Sequence, residues 1–245
     1  MRIFVLSCAI ALLLSVCSAG AALTNAQRLA RGLPILPPKF GRSLPGYARS
    51  PTVAGVKDPS PSSAPPQTIT GRILVKSHNG KSLGHLHNMA SGINGVNFGA
   101  SSADLHVSFT TSRSGKGLID IQAVDAAFHG PHYIGTTSSH TLATGSSTAV
   151  DFGNAIRTPV HSPPVPAGQH NADESAIWTF DPRTHELKVQ YVNPDGQTAK
   201  TIIAYNIHDN TIFFVGDIGA YNAAQVHPDH HVSPITFYLD SAVKK

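Results

Sequence analysis

The sequence predicts an all-β protein: an antiparallel β-sandwich of jelly-roll type, with a closed β-barrel as the alternative, behind a disordered N-terminal tail. Three observations lead there. From Gln67 onward apolar residues recur at every second position, turn-forming residues punctuate those runs, and no stretch sustains the 3.6-residue apolar period of a helix.

The strands follow in order. Ile69, Gly71, Ile73 and Val75 alternate with Thr70, Arg72, Leu74 and Lys76, which is the pattern of a half-buried strand. The region around His85 and His87 reads as a further strand. Leu105, Val107 and Phe109, then Ile119, Ile121 and Ala123, repeat the alternation. Residues 176–181 and 186–192, joined by a turn at Asp181, Pro182, Arg183 and Thr184, form one hairpin. Residues 198–205 and 211–215, joined through Asn206–Asn210, form a second, and 233–239 supplies a last strand. Eight to ten strands without helical crossovers suit two packed antiparallel sheets. Two long loops are expected, 136–148 and 153–174.

Ahead of this domain, 67–245, stand two segments of different character. Residues 1–21 read as a secretory signal peptide: Arg2, an apolar run from Ile3 to Cys17, and small residues through Ala22 suited to cleavage after Ala21 or Ala22. No lysine- or arginine-rich stop-transfer flank follows the run, and no second apolar segment of spanning length exists, so no transmembrane anchor is expected. Residues 22–66 hold nine of the eighteen prolines, a composition too poor in apolar residues to order itself, although 23–32 offers a short helical turn. No Asn-x-Ser/Thr acceptor occurs, while the Ser/Pro/Thr stretch suits O-linked sugars.

Both cysteines, Cys8 and Cys17, lie within the signal peptide. The mature chain therefore has no disulfide, no thiol chemistry and no Cys-ligated zinc, and must be held by packing alone. Its net positive charge is confined to the tail, where six basic residues face Asp58, whereas 67–245 carries eleven basic against thirteen acidic residues. A mixed, faintly acidic body offers no stripe for phosphates, which argues against nucleic acid as a partner.

Residues Leu23 to Pro34 followed by Leu36, Pro37 and Pro38, together with Glu174 to Asp181, Val192 to Gly196, Gly216 and Asp217, resemble a set of uncharacterised secreted proteins of mushroom-forming, basidiomycete fungi. The resemblance implies an extracellular protein of fungal origin. It carries no activity, fold or site.

Two constellations are candidates for function. Trp178, with Phe180 on the same strand face and Tyr191 across the hairpin, is the material of an aromatic strip on which sugar rings stack, with Asn193 and Asp195 as hydrogen-bonding neighbours. The competing role for Trp178 and Phe180 is the core, since aromatics alternating along a strand normally face inward. The second constellation is histidine, fourteen in all. His85 and His87, two apart on a strand, share a face; His227, His230 and His231 surround Pro228 and Asp229. No cofactor is predicted, and these five histidines are where a zinc or copper ion would bind if they converged, although neither spacing matches a metal motif and a role as polar surface residues is the expected one.

Other chemistries lack their signatures. There is no His-Glu-x-x-His and no phosphate loop. Paired carboxylates for glycoside cleavage would have to come from Asp173, Glu174, Asp181, Glu186 or Asp217. The leading expectation is thus a secreted, non-catalytic protein that binds extracellular wall polysaccharide, and the rival is a secreted enzyme, metal-dependent or a carboxylate hydrolase. Nothing in the sequence specifies an oligomeric state.

Overall fold

The computed structural model describes residue 31, residues 65–168 and residues 171–241. The chain divides into two units, Met1–Asp58 and Pro59–Lys245, and the account below concerns the second. The signal peptide at 1–21 and all of the tail at 22–66 except Arg31, Pro65 and Pro66 lie outside the described residues.

Fourteen strands form: β1 (Gln67–Ser77), β2 (Ser82–Met89), β3 (Gly92–Asn97), β4 (His106–Thr111), β5 (Ile121–Val124), β6 (Tyr133–Thr136), β7 (Ala149–Ala155), β8 (Val165–Ala167), β9 (Asn171–Asp173), β10 (Trp178–Phe180), β11 (Glu186–Val189), β12 (Ile202–Asn206), β13 (Thr211–Val215) and β14 (Ser233–Asp240). All their ladders are antiparallel, as the alternation predicts. Both C-terminal hairpins form, with Trp178 opposite Val189 and Ile202 opposite Val215. The first turn is tied by Asp181, whose carboxylate accepts the Arg183 N–H, and that bond holds its carboxyl below the ordinary carboxylate range.

Strand β14 pairs with β1 along Ile235–Asp240, and with β11 and β12. The ladders therefore run in a circuit, β1, β14, β12, β13, β7, β6, β5, β4 and back to β1, with β2–β3 and β10–β11 attached to it. Such a circuit belongs equally to a flattened barrel and to two layers sharing edge strands; what it establishes is an antiparallel all-β fold.

One short helix, α1 (Ile218–Ala224), departs from the expected pattern. Seven residues are too few to display a helical period in sequence, and the local signal is its cap. Asp217 Oδ1 accepts the N–H groups of Gly219 and Ala220, satisfying donors that the first turn leaves free. Among the described residues no helix is long and apolar enough to cross a membrane.

The core gathers the inward residues of these strands around an aromatic cluster. Trp178 stacks on Phe237 at 5.9 Å between ring centroids and meets Phe152 and Phe214 edge-on at 6.5 and 6.1 Å. Its indole Nε1 donates to the Ile134 carbonyl at 2.7 Å, so even the polar edge of the ring is satisfied inside the protein.

Candidate functional site

The seam beside β3 shapes the surface of interest. One edge of β3 pairs with β2, and the other meets β7 and β13 without a backbone ladder. Three asparagine side chains bridge the gap instead. Asn154 Oδ1 accepts the Ile93 N–H at 2.7 Å, Asn210 accepts the Val96 N–H at 2.8 Å while donating to the Val96 carbonyl at 3.0 Å, and Asn94 Oδ1 accepts the Ile212 N–H at 2.9 Å. Backbone groups that would otherwise remain unpaired are thereby met, although the strands have diverged. The approach is close enough to require glycine: a Cβ on Gly95, which has φ +71°, would collide with the Asn210 backbone oxygen, and one on Gly92, with φ +131°, would press on the Asn154 amide at 2.9 Å.

Where ladder pairing gives way to side-chain bridges, the surface sinks into a groove. Two adjoining depressions, of about 390 and 560 Å³, share Asn94 and Phe152. The first is walled by Asp151, Thr211, Phe213 and Tyr221, the second by His129, Thr137 and Asn154. Apolar Ile93, Phe152 and Ile212 lie beneath, each buried. On α1, Tyr221 leans on Phe213 with ring centroids 5.1 Å apart. Burial first, and then the nearby Asp209 carboxylate, holds the Tyr221 hydroxyl above its ordinary range, so it remains a neutral donor and acceptor.

Several polar groups at this surface have no side-chain partner among the described residues: the Asp151 carboxylate, the Nδ2 groups of Asn94 and Asn154, and the His129 ring. Asp151 is also the one carboxylate among the described residues that line the groove, whereas two-carboxylate glycoside cleavage needs a pair roughly 5–10 Å apart.

No protein family, curated protein or solved structure matches this chain. What the site does must therefore be drawn from its own chemistry.

The residues singled out in the sequence sit elsewhere, and most have structural roles. Trp178 and Tyr191 are fully buried, and Asn193 is 6% exposed. The Asn193 amide clamps both the N–H and the carbonyl of Leu142, and the Tyr191 hydroxyl donates to the His140 carbonyl. Asp195 accepts the Gln197 N–H in an exposed turn. The aromatic strip on the hairpin is thus corrected: inward alternation won, and these rings form core instead of a sugar platform.

The five histidines are also not set around one ion, since among the described residues no group of three or more His, Asp or Glu side chains is arranged to hold a metal. His85 instead enters a charged network, with Nε2 3.0 Å from Asp240 and Nδ1 3.3 Å from Asp104, while Arg72 donates to the same two carboxylates at 2.9 and 2.8 Å. His87 pairs by backbone with Asp104. His227 and His230 lie near each other on the 3-10 turn before β14, and His231 ends that turn through its N–H to the Pro228 carbonyl.

The proposed paired carboxylates separate into individual tasks. Asp173 accepts the Ile156 N–H, Asp217 caps α1, Asp181 ties its turn and Glu186 faces Lys188 at 3.4 Å. Glu174 is buried, with Oε2 accepting the Val192 N–H and Oε1 unpartnered. Burial pushes its carboxyl up to about 8, so it is largely neutral at neutral pH. The groove itself was missed. Its signal is four glycines and asparagines, Gly92, Asn94, Gly95 and Asn97, inside what folds as a strand.

Proposed function

We propose that this is a secreted, non-catalytic extracellular protein that holds a chain of wall polysaccharide in the groove over the β3 seam. The observation that carries the reading is the groove's inventory. Unpartnered amide, carboxylate, imidazole and phenol groups ring an apolar floor beside the Phe213–Tyr221 pair. A sugar presents hydroxyls that both donate and accept, and a C–H face that packs on aromatic rings. Each net hydrogen bond to such a hydroxyl contributes about 1 kcal/mol, so affinity has to come from several at once. Asn94 and Asn154 are suited to the task because their carbonyl oxygens are fixed by backbone donors, which orients the free Nδ2 groups before any ligand arrives. A single lining carboxylate favours holding a sugar over cleaving one.

The test is retention on insoluble wall polysaccharides and titration with their soluble oligosaccharides. Wild type binds at least one; Tyr221→Ala, at a partly buried ring, and Asp151→Ala, at an exposed side chain, each weaken that binding by about tenfold while shifting the melting temperature by no more than about 4 °C. Absence of binding across the panel, or binding indifferent to both substitutions, rejects the reading.

A further inference from the structure

We propose that the groove over the β3 seam selects a polysaccharide that carries free amino groups, a chain of glucosamine units in preference to acetylated or neutral ones. The inference rests on the groove reading above and names the class of sugar held there. It starts from one juxtaposition. Asp151 on β7 stands directly across the ladder from Phe213 on β13, and opposed residues on one face of an antiparallel pair carry their Cβ atoms about 5 Å apart. Tyr221 leans on Phe213 in turn, with 5.1 Å between ring centroids. A carboxylate and two aromatic rings therefore line one depression side by side.

Carboxylate beside aromatic rings is the material of an ammonium receptor. An ammonium is drawn to the carboxylate by charge-assisted hydrogen bonding and to the ring faces by their quadrupole, and a hydroxyl gains less from both. No cation of the protein competes: among the described residues that line the two depressions there is neither lysine nor arginine. The Asp151 N–H is donated to the Ser138 hydroxyl, which fixes the backbone and leaves the carboxylate uncommitted. Asp209 also acts on the Tyr221 hydroxyl, but its oxygens face His208 and His230 at 2.9 and 3.5 Å. Asp151 is thus the carboxylate left to meet a cation. The remaining ionisable side chains of the lining are Tyr221 itself and His129, which belongs to the adjoining depression.

The rest of an amino-sugar unit meets neutral partners. Thr211 and Asn94 line the same depression and offer a hydroxyl and an amide to the ring hydroxyls, while the C–H face packs on the Phe213–Tyr221 pair. Acetylation of the amine removes the charge that Asp151 and the rings would hold. Because Asp151 is exposed, a single ion pair there contributes little in water. A polymer compensates, since every unit carries an amine and each can present it to the same carboxylate.

The experiment is calorimetric titration of the mature chain with short soluble oligomers of glucosamine, of N-acetylglucosamine and of glucose, and with oligolysine, in mildly acidic, low-salt buffer that keeps the amines protonated. The glucosamine oligomer is expected to bind about tenfold tighter than its acetylated counterpart and than oligolysine, which has the charge without the hydroxyls. Added salt narrows the difference, and Asp151→Asn brings the two amino-sugar oligomers to within about twofold of each other. Circular dichroism verifies that the variant is folded. Equal binding of the acetylated or glucose oligomer, a preference that Asp151→Asn leaves intact, or oligolysine binding as tightly as the sugar overturns the inference. The two readings fail separately. Uncharged oligomers that bind as tightly, and that Tyr221→Ala weakens, leave the groove reading standing without its amino-sugar preference, whereas no binding of any oligomer removes both.

Discussion

The hairpin around Trp178 and the seam around β3 divide the aromatic and polar residues of this protein between two tasks. In the hairpin, regular antiparallel pairing carries alternate side chains inward, and the large rings become core. At the seam, backbone pairing fails, asparagines bridge strands that do not meet, and the surface is left concave with polar groups unpartnered. Regularity therefore makes stability, and the interruption of regularity makes the concave polar surface at which we propose a ligand is held. An aromatic residue in a strongly alternating strand is weak evidence for a binding surface; Asn and Gly inside a strand are better evidence.

The sharpest break of that comparison is Trp178→Ala. It empties the center of the aromatic cluster and strands the Ile134 carbonyl, and should cost about 3–5 kcal/mol in urea denaturation, if the variant folds at all. Next comes Glu174→Gln. The Glu174 carboxyl is neutral when folded up to about pH 8 but ionises in the unfolded chain from about 4.5. A raised folded-state value means its stabilising contribution is full in acid and is lost as pH rises through that window. Wild type should thus lose stability between pH 5 and 8, by about 2–3 kcal/mol from this group, and the variant should flatten the curve of melting temperature against pH. Asn210→Ala follows: it leaves the Val96 N–H and carbonyl without partners and should cost about 1–3 kcal/mol. Smallest in stability is Tyr221→Ala, under about 1 kcal/mol, since the ring is only partly buried, yet its effect on binding should exceed that of Asn210→Ala.

Much of the fold was legible because its signals are local. The Ile69–Val75 alternation, the Asp181–Thr184 turn and the final strand 233–239 each appear as read, since period and turn chemistry act over a few residues. Strand β3 was not, because Gly92 and Gly95 interrupt its alternation, and β6 and β7 border the long loops. The site was illegible for a further reason. Its defining bonds join residues 61 to 118 positions apart, such as Ile93 with Asn154 and Asn94 with Ile212.

The central claim is that the seam, and not the hairpin, is the binding surface. The most direct measurement is amide chemical-shift mapping while a wall oligosaccharide that binds is titrated in. The account predicts saturable shifts confined to Gly92–Asn94, Ala149–Asn154, Thr211–Phe213 and Tyr221, with 178–195 unmoved. Shifts centred on the Trp178 hairpin, or scattered without a focus, would contradict it.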